Sequence, residues 1–134
     1  MNPIDHLGLR CSDLDRSLAF YRAALAALDL DVVMQVSAEE SGGQRHVGFG
    51  CDGKPSFWIA DGGRDAGDNG VHVAFVASSR EQVDAFHRAG LAAGGRDHGT
   101  PGLRPHYHPD YYGAFLLDPD GHNIEAVCHR PASA

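Results

Sequence analysis

An internal repeat constrains this chain more than any other feature. Laying His6 over His72, a displacement of 66 residues, brings nine identical pairs into register without a gap. They are His6/His72, Ser12/Ser78, Ala19/Ala85, Phe20/Phe86, Arg22/Arg88, Ala23/Ala89, Leu25/Leu91, Ala26/Ala92 and Ala27/Ala93. Alanine bias accounts for several of these, but not for the His, Phe and Arg matches. At the same displacement Asp31 meets Asp97, Phe49 meets Phe115, Asp52 meets Asp118 and Ala60 meets Ala126. Such periodicity means one supersecondary unit used twice.

Each unit opens on a short apolar strand, at about 4–10 and 71–77, and continues into a helix. In the first helix Leu14, Leu18, Tyr21, Leu25 and Leu28 form one apolar stripe. In the second, Ser79 and Gln82 have capping-box spacing ahead of Val83, Phe86 and Leu91. Strand-like segments close each unit: DVVMQVS, RHVGFG and SFWIA in the first; a weak strand near 95–98, then YYGAFLL and NIEAV, in the second. The DPDG run at 118–121 is a turn that pairs the last two. Each unit therefore reads β-α-β-β-β. The expected fold is α+β, a single domain over 1–134 with two tandem βαβββ modules (about 4–60 and 71–129) joined by a linker, 61–70. The modules are expected to form a curved mixed sheet around a cavity, with helices on its outer faces.

Composition removes several function classes. Among 134 residues the formal charge is −7 with one lysine, Lys54, which leaves no basic stripe for a nucleic-acid backbone. No apolar run can span a bilayer and the N-terminal stretch has no signal-peptide pattern, so the expected compartment is the cytoplasm. Cys11, Cys51 and Cys128 form no CxxC pair and read as reduced thiols.

His72 interrupts GVHVAF, a strand otherwise built for burial, and the repeat makes it equivalent to His6. Glu125 sits likewise inside NIEAV, where a carboxylate is costly unless paired or metal-bound. Two imidazoles and a carboxylate on three strands form a set that binds a divalent ion and leaves positions open. The same three residues could instead be a hydrogen-bonded cluster in a protein that only binds ligands.

The segments DHLGLRCSDLDRSLAFYRAAL, GVHVAF and LLDPDGHNIEAV together make the chain resemble the vicinal oxygen chelate superfamily. That superfamily includes glyoxalase I, extradiol dioxygenases, fosfomycin-resistance thiol transferases and bleomycin-resistance proteins. The resemblance implies paired βαβββ modules, metal ligands at His6, His72 and Glu125, and a Zn, Ni, Fe or Mn ion. It also implies a small-molecule substrate with vicinal oxygens, Glu125 as a catalytic group, and a homodimer in which modules can be exchanged. Glyoxalase I has a fourth ligand, a glutamate; here the displacement puts Ile59 at that place, and a one-residue slip gives Trp58 or Ala60. The expected function is a metal-dependent lyase/isomerase or extradiol-type dioxygenase, with a bleomycin-resistance-type binding protein as the alternative.

The HYHPDYYG segment supplies candidate substrate-binding residues, His106, His108, Tyr111 and Tyr112; the alternative is an aromatic loop over the rim or in a dimer interface. Trp58 and His46 are further candidates for the cavity lining. His87 and His98 read as exposed helix and loop residues, and Arg22 and Arg88 as helix-surface residues.

Overall fold

In the computed structural model, which describes residues 2–132, the two halves have one topology. The first half runs β1 (Leu7–Arg10), α1 (Leu14–Ala26), β2 (Asp31–Val36), α2 (Ala38–Ser41), β3 (His46–Cys51) and β4 (Lys54–Ala60). The second runs β5 (His72–Val76), α3 (Arg80–Ala92), β6 (Arg96–Leu103), β7 (Tyr112–Leu117) and β8 (Asn123–Cys128). Two four-stranded sheets result, ordered β1-β4-β3-β2 and β5-β8-β7-β6. The opening strand of each is parallel to the closing one, and the other pairs are antiparallel. The fold is α+β, two tandem βαβββ modules, as the repeat implies.

Local chemistry sets the element ends. Asp13 caps α1 by accepting the Arg16 N–H at 3.1 Å, and Ser79 caps α3 by accepting from Gln82 at the same distance. The small helix α2 was not legible from periodicity; Ser37 and Glu40 form its capping box, and Gly42 closes it at φ +81°. Strand β6 is longer than the expected 95–98, because pairing with β7 continues past Gly99, Pro101 and Gly102. Register shifts on either side of Gly99 absorb these apparent breakers.

His87 corrects its sequence reading. It is 7% exposed on the packed face of α3, and its Nε2–H donates to Asp97 at 2.9 Å. That bond holds the Asp97 carboxyl below its ordinary range. A buried imidazole needs such a partner, and the first residues of β6 provide it.

The halves share one core. Phe57 of β4 meets Phe75 of β5 edge-on at 5.2 Å, and Tyr21 of α1 packs on Phe57 at 5.1 Å. The buried Tyr21 hydroxyl donates to Asp118 in the DPDG turn. Asp120 of the same turn accepts the Ser12 N–H at 2.9 Å and the Ser12 hydroxyl, at the start of α1. Both carboxylates are 1% exposed. A turn of the second half is thereby fastened to the first helix of the first half. Burial pushes the Cys11 thiol up to about 11, and Cys11, Cys51 and Cys128 are free. Among the described residues, no helix is long and apolar enough to cross a membrane.

This junction sets which faces remain open. Leu7, Leu9, Val73 and Phe75 turn toward the common core. The alternate residues, Gly8 and Arg10 on β1 and His72, Ala74 and Val76 on β5, are exposed. Each sheet carries a cavity on this open side.

The helices close on each other at Gly90, where an added Cβ would lie 2.3 Å from Leu116 Cδ1 and 3.2 Å from the Phe20 ring. Alanine ordinarily strengthens a helix interior by about 1 kcal/mol. Overpacking a buried contact costs roughly 1–3 kcal/mol. Gly90→Ala is therefore expected to lower the urea midpoint; a raised midpoint would show that the α3 contact has room to spare.

Candidate functional site

The exposed face of the second sheet holds the most organised polar cluster. Parallel pairing sets His72 beside Asn123 and Ala74 beside Glu125; antiparallel pairing sets Phe115 opposite Glu125. Glu125 is 2% exposed, and both its oxygens are engaged. The His72 Nε2–H donates to Oε1 at 2.8 Å, and the Tyr111 hydroxyl donates to Oε2. Burial, then the bond to Glu125, pushes the Tyr111 phenol well above its ordinary range. Gly113 makes this contact possible, since a Cβ there would lie 3.2 Å from both Glu125 Oε2 and the Tyr111 ring. Phe115 supports His72 edge-on at 6.0 Å.

Asn123 fixes the state of His72. Its Nδ2 donates to His72 Nδ1 at 3.1 Å, which leaves the imidazole proton on Nε2. The other amide atom, Asn123 Oδ1, is buried without a partner. Turning the amide by half a rotation would let Oδ1 accept a proton on Nδ1 and free the Nε2 lone pair. That second state is the one an imidazole needs to ligate a metal, and an oxygen acceptor behind the ring is its usual support. The side chains around His72 thus fit a metal-ligating imidazole.

His6 lies on the other sheet. Its Nδ1 pairs with Asp5 at 2.7 Å, and Asp5 also pairs with Lys54 at 2.9 Å. It lines a cavity of about 470 Å³ with Gly8, Val36, Ser41, His46 and Trp58. Trp58 is paired with Gly8 of β1 as Glu125 is paired with Ala74 of β5. The residue at Glu125's place in the first sheet is therefore an indole; the one-residue slip from Ile59 is real, and Ile59 itself is buried in the core. One chain brings together His72 and Glu125 and leaves His6 apart. Among the described residues, no three His, Cys, Asp or Glu side chains converge as a metal site.

The remaining predicted residues separate clearly. Tyr111 joins the cluster. Tyr112 turns to the helix side, where its hydroxyl donates to Asp84 at 2.7 Å and Arg80 lies over its ring; the bond to Asp84, then burial, pushes its phenol up to about 12. His106 packs against Tyr107 in a tilted contact at 4.1 Å, and His108 accepts the Asp110 N–H at 3.2 Å; both are exposed. His98 is an exposed residue of β6, and it lines the cavity beside Asn123. Sequence reading missed Asn123, Phe115 and Arg104 at this face. Asn123, two residues before Glu125 on the same strand, had a period-two signal; Arg104 was hidden by the glycines and proline that disguised β6.

This fold agrees with what comparison finds. Residues 3–126 match the model of the Glyoxalase/Bleomycin resistance protein/Dioxygenase superfamily, and the chain belongs to that family. A glyoxalase/bleomycin resistance protein from Albidiferax ferrireducens is similar at 31% identity and a TM-score of 0.74, covering 97% of this chain and all of that one. A glyoxalase/bleomycin resistance protein/dioxygenase domain from Frankia shares the fold at 20% identity and a TM-score of 0.70, covering 97% and 99%. An E144Q mutant of maize glyoxalase I does so at 20% identity and a TM-score of 0.71; the match covers 95% of this chain and 47% of the maize protein, so the chain spans about half its length. No curated protein matches the sequence.

Removing the Tyr111 hydroxyl leaves a buried carboxylate oxygen without its donor. Tyr111→Phe is expected to cost about 1–3 kcal/mol of unfolding free energy. Denaturant melts check this, and an unchanged midpoint would mean that water replaces the phenol.

Proposed function

We propose that this protein is a divalent-metal-dependent enzyme that acts on a small molecule with vicinal oxygens, in a site completed by two copies of the chain. His72 and Glu125 of one copy and His6 of the other would hold a Zn, Ni, Fe or Mn ion. The observation that carries this reading is the His72–Glu125 pair, backed by the partnerless Asn123 Oδ1, on a solvent-open sheet face. Family membership supports it, as does His6 at the equivalent open position of the other sheet.

When bound, the ion supplies Lewis-acid stabilisation of negative charge on substrate oxygens. The protein's own part is positioning. Asn123 sets the proton on His72. The Tyr111 hydroxyl holds Glu125 Oε2, so that Oε1 is the oxygen turned toward His72. Phe115 and Tyr107 keep one side of the cavity aromatic. Trp58 at the place of a fourth carboxylate favours a three-ligand centre, and with it an extradiol-type dioxygenase over a lactoylglutathione-type lyase. His106 and His108 would contribute to substrate binding from the exposed segment that leads to Tyr111. The three free cysteines and the absence of a membrane-crossing helix among the described residues support a cytoplasmic protein.

A second reading, sequestration of a ligand without turnover, draws on one observation: a single chain joins only two of the three donors. Subunit mixing separates the two. His6→Ala and Glu125→Ala proteins should each lose metal by elemental analysis. After exchange of equal amounts, about half of the dimers are mixed and each has one of its two sites intact, so the mixture should regain on the order of a quarter of the wild-type sites. No recovery would place the ligands within one chain or remove the metal altogether. Oxygen uptake with catechol, against isomerisation of a hemithioacetal, then distinguishes dioxygenase from lyase.

A further inference from the structure

We infer that Arg104 is an anion-binding residue beside this site, and that the substrate carries a carboxylate as well as its vicinal oxygens. This rests on the preceding assignment of the second sheet's open face.

Arg104 follows β6 directly, and its backbone N–H donates to Tyr111 O at 2.7 Å. Its guanidinium lies over the Phe115 ring, 5.5 Å from the centroid, and one nitrogen donates to Thr100 O at 2.8 Å. Two glycines make room for it. A Cβ on Gly99 would lie 3.3 Å from Nη2, and one on Gly102 would lie 3.2 Å from Nη1. The group is thus seated on an aromatic face and a glycine-lined strand, with most of its five donors free.

Place, more than charge, sets this position apart, since most of the arginines are likewise without an ion pair among the described residues. The chain has 18 acidic side chains against 11 lysines and arginines, so an acidic partner would be easy to supply. Arg16 pairs with Asp120, and Arg45 with Asp15 and Asp61. Among the described residues, Arg104 forms no ion pair. Instead it opens on a cavity of about 400 Å³ shared with His98, Tyr107 and Asn123. Asn123 and Phe115, which line that cavity, are both in contact with His72. An anion on Arg104 is therefore held close to the His72–Glu125 pair. The planar fork matches a carboxylate, and one guanidinium balances a single negative charge. Aromatic walls suit a flat substrate body.

The test measures binding of three probes, 3,4-dihydroxybenzoate, catechol and benzoate, to metal-loaded full-length protein by calorimetry. Wild type is expected to bind 3,4-dihydroxybenzoate roughly tenfold or more tightly than catechol. Arg104→Gln should erase that preference while leaving catechol affinity in place, and Arg104→Lys should keep part of it. Thermal melts establish that both variants are folded; if Arg104→Gln is not, Arg104→Lys carries the comparison. Equal wild-type affinity for the matched pair, or a preference untouched by either substitution, overturns the inference. Benzoate separates this inference from the one beneath it. Arg104-dependent benzoate binding without any catechol binding would keep the anion site and remove the vicinal-oxygen reading alone.

Discussion

The structure depends on how the two modules are joined. Phe57 against Phe75 and Tyr21 against Phe57 make one continuous aromatic core, and the Tyr21–Asp118 and Ser12–Asp120 bonds fasten it at the edge. Each sheet can bury only one face in that core. The helices and aromatic rings take one face of each sheet, so the polar residues of both are presented to solvent. The division of the candidate ligands between two surfaces follows from this packing and needs no special feature of the ligands themselves.

Buried carboxylates have two roles in this molecule. Asp118 and Asp120 are engaged by hydroxyls and backbone N–H groups inside the fold, with the Arg16 guanidinium beside Asp120. Glu125 is equally buried, but its partners are an imidazole half exposed to water and the phenol of Tyr111. The first arrangement holds a turn in place. The second keeps an acid beside a half-exposed imidazole without leaving it free to move, which is the condition a binding or catalytic group needs.

Much of this was readable from the chain alone, and what was not has identifiable causes. The duplication shows in residues that repeat in register, because core positions of equivalent helices need the same side chains. His72 and Glu125 stood out because each breaks an apolar alternation, and they are in contact in the fold. The long β6 was lost because Gly99, Pro101 and Gly102 mimic a loop locally, while cross-strand pairing with β7 decides the outcome. His87 was misplaced because helical spacing shows a stripe's centre better than its margin, and its partner Asp97 lies on another element. The separation of His6 from His72 depends on how modules dock, and no local pattern encodes that.

Trp58 is the chain's single tryptophan, and it stands in the open cavity of the first sheet, 6.5 Å from the His46 ring. Its indole is half buried, and no second emitter of its kind dilutes it. Indole emission, excited at wavelengths that tyrosine does not absorb, therefore reports on the N-terminal half alone, a built-in optical probe that registers whatever comes to cover that surface.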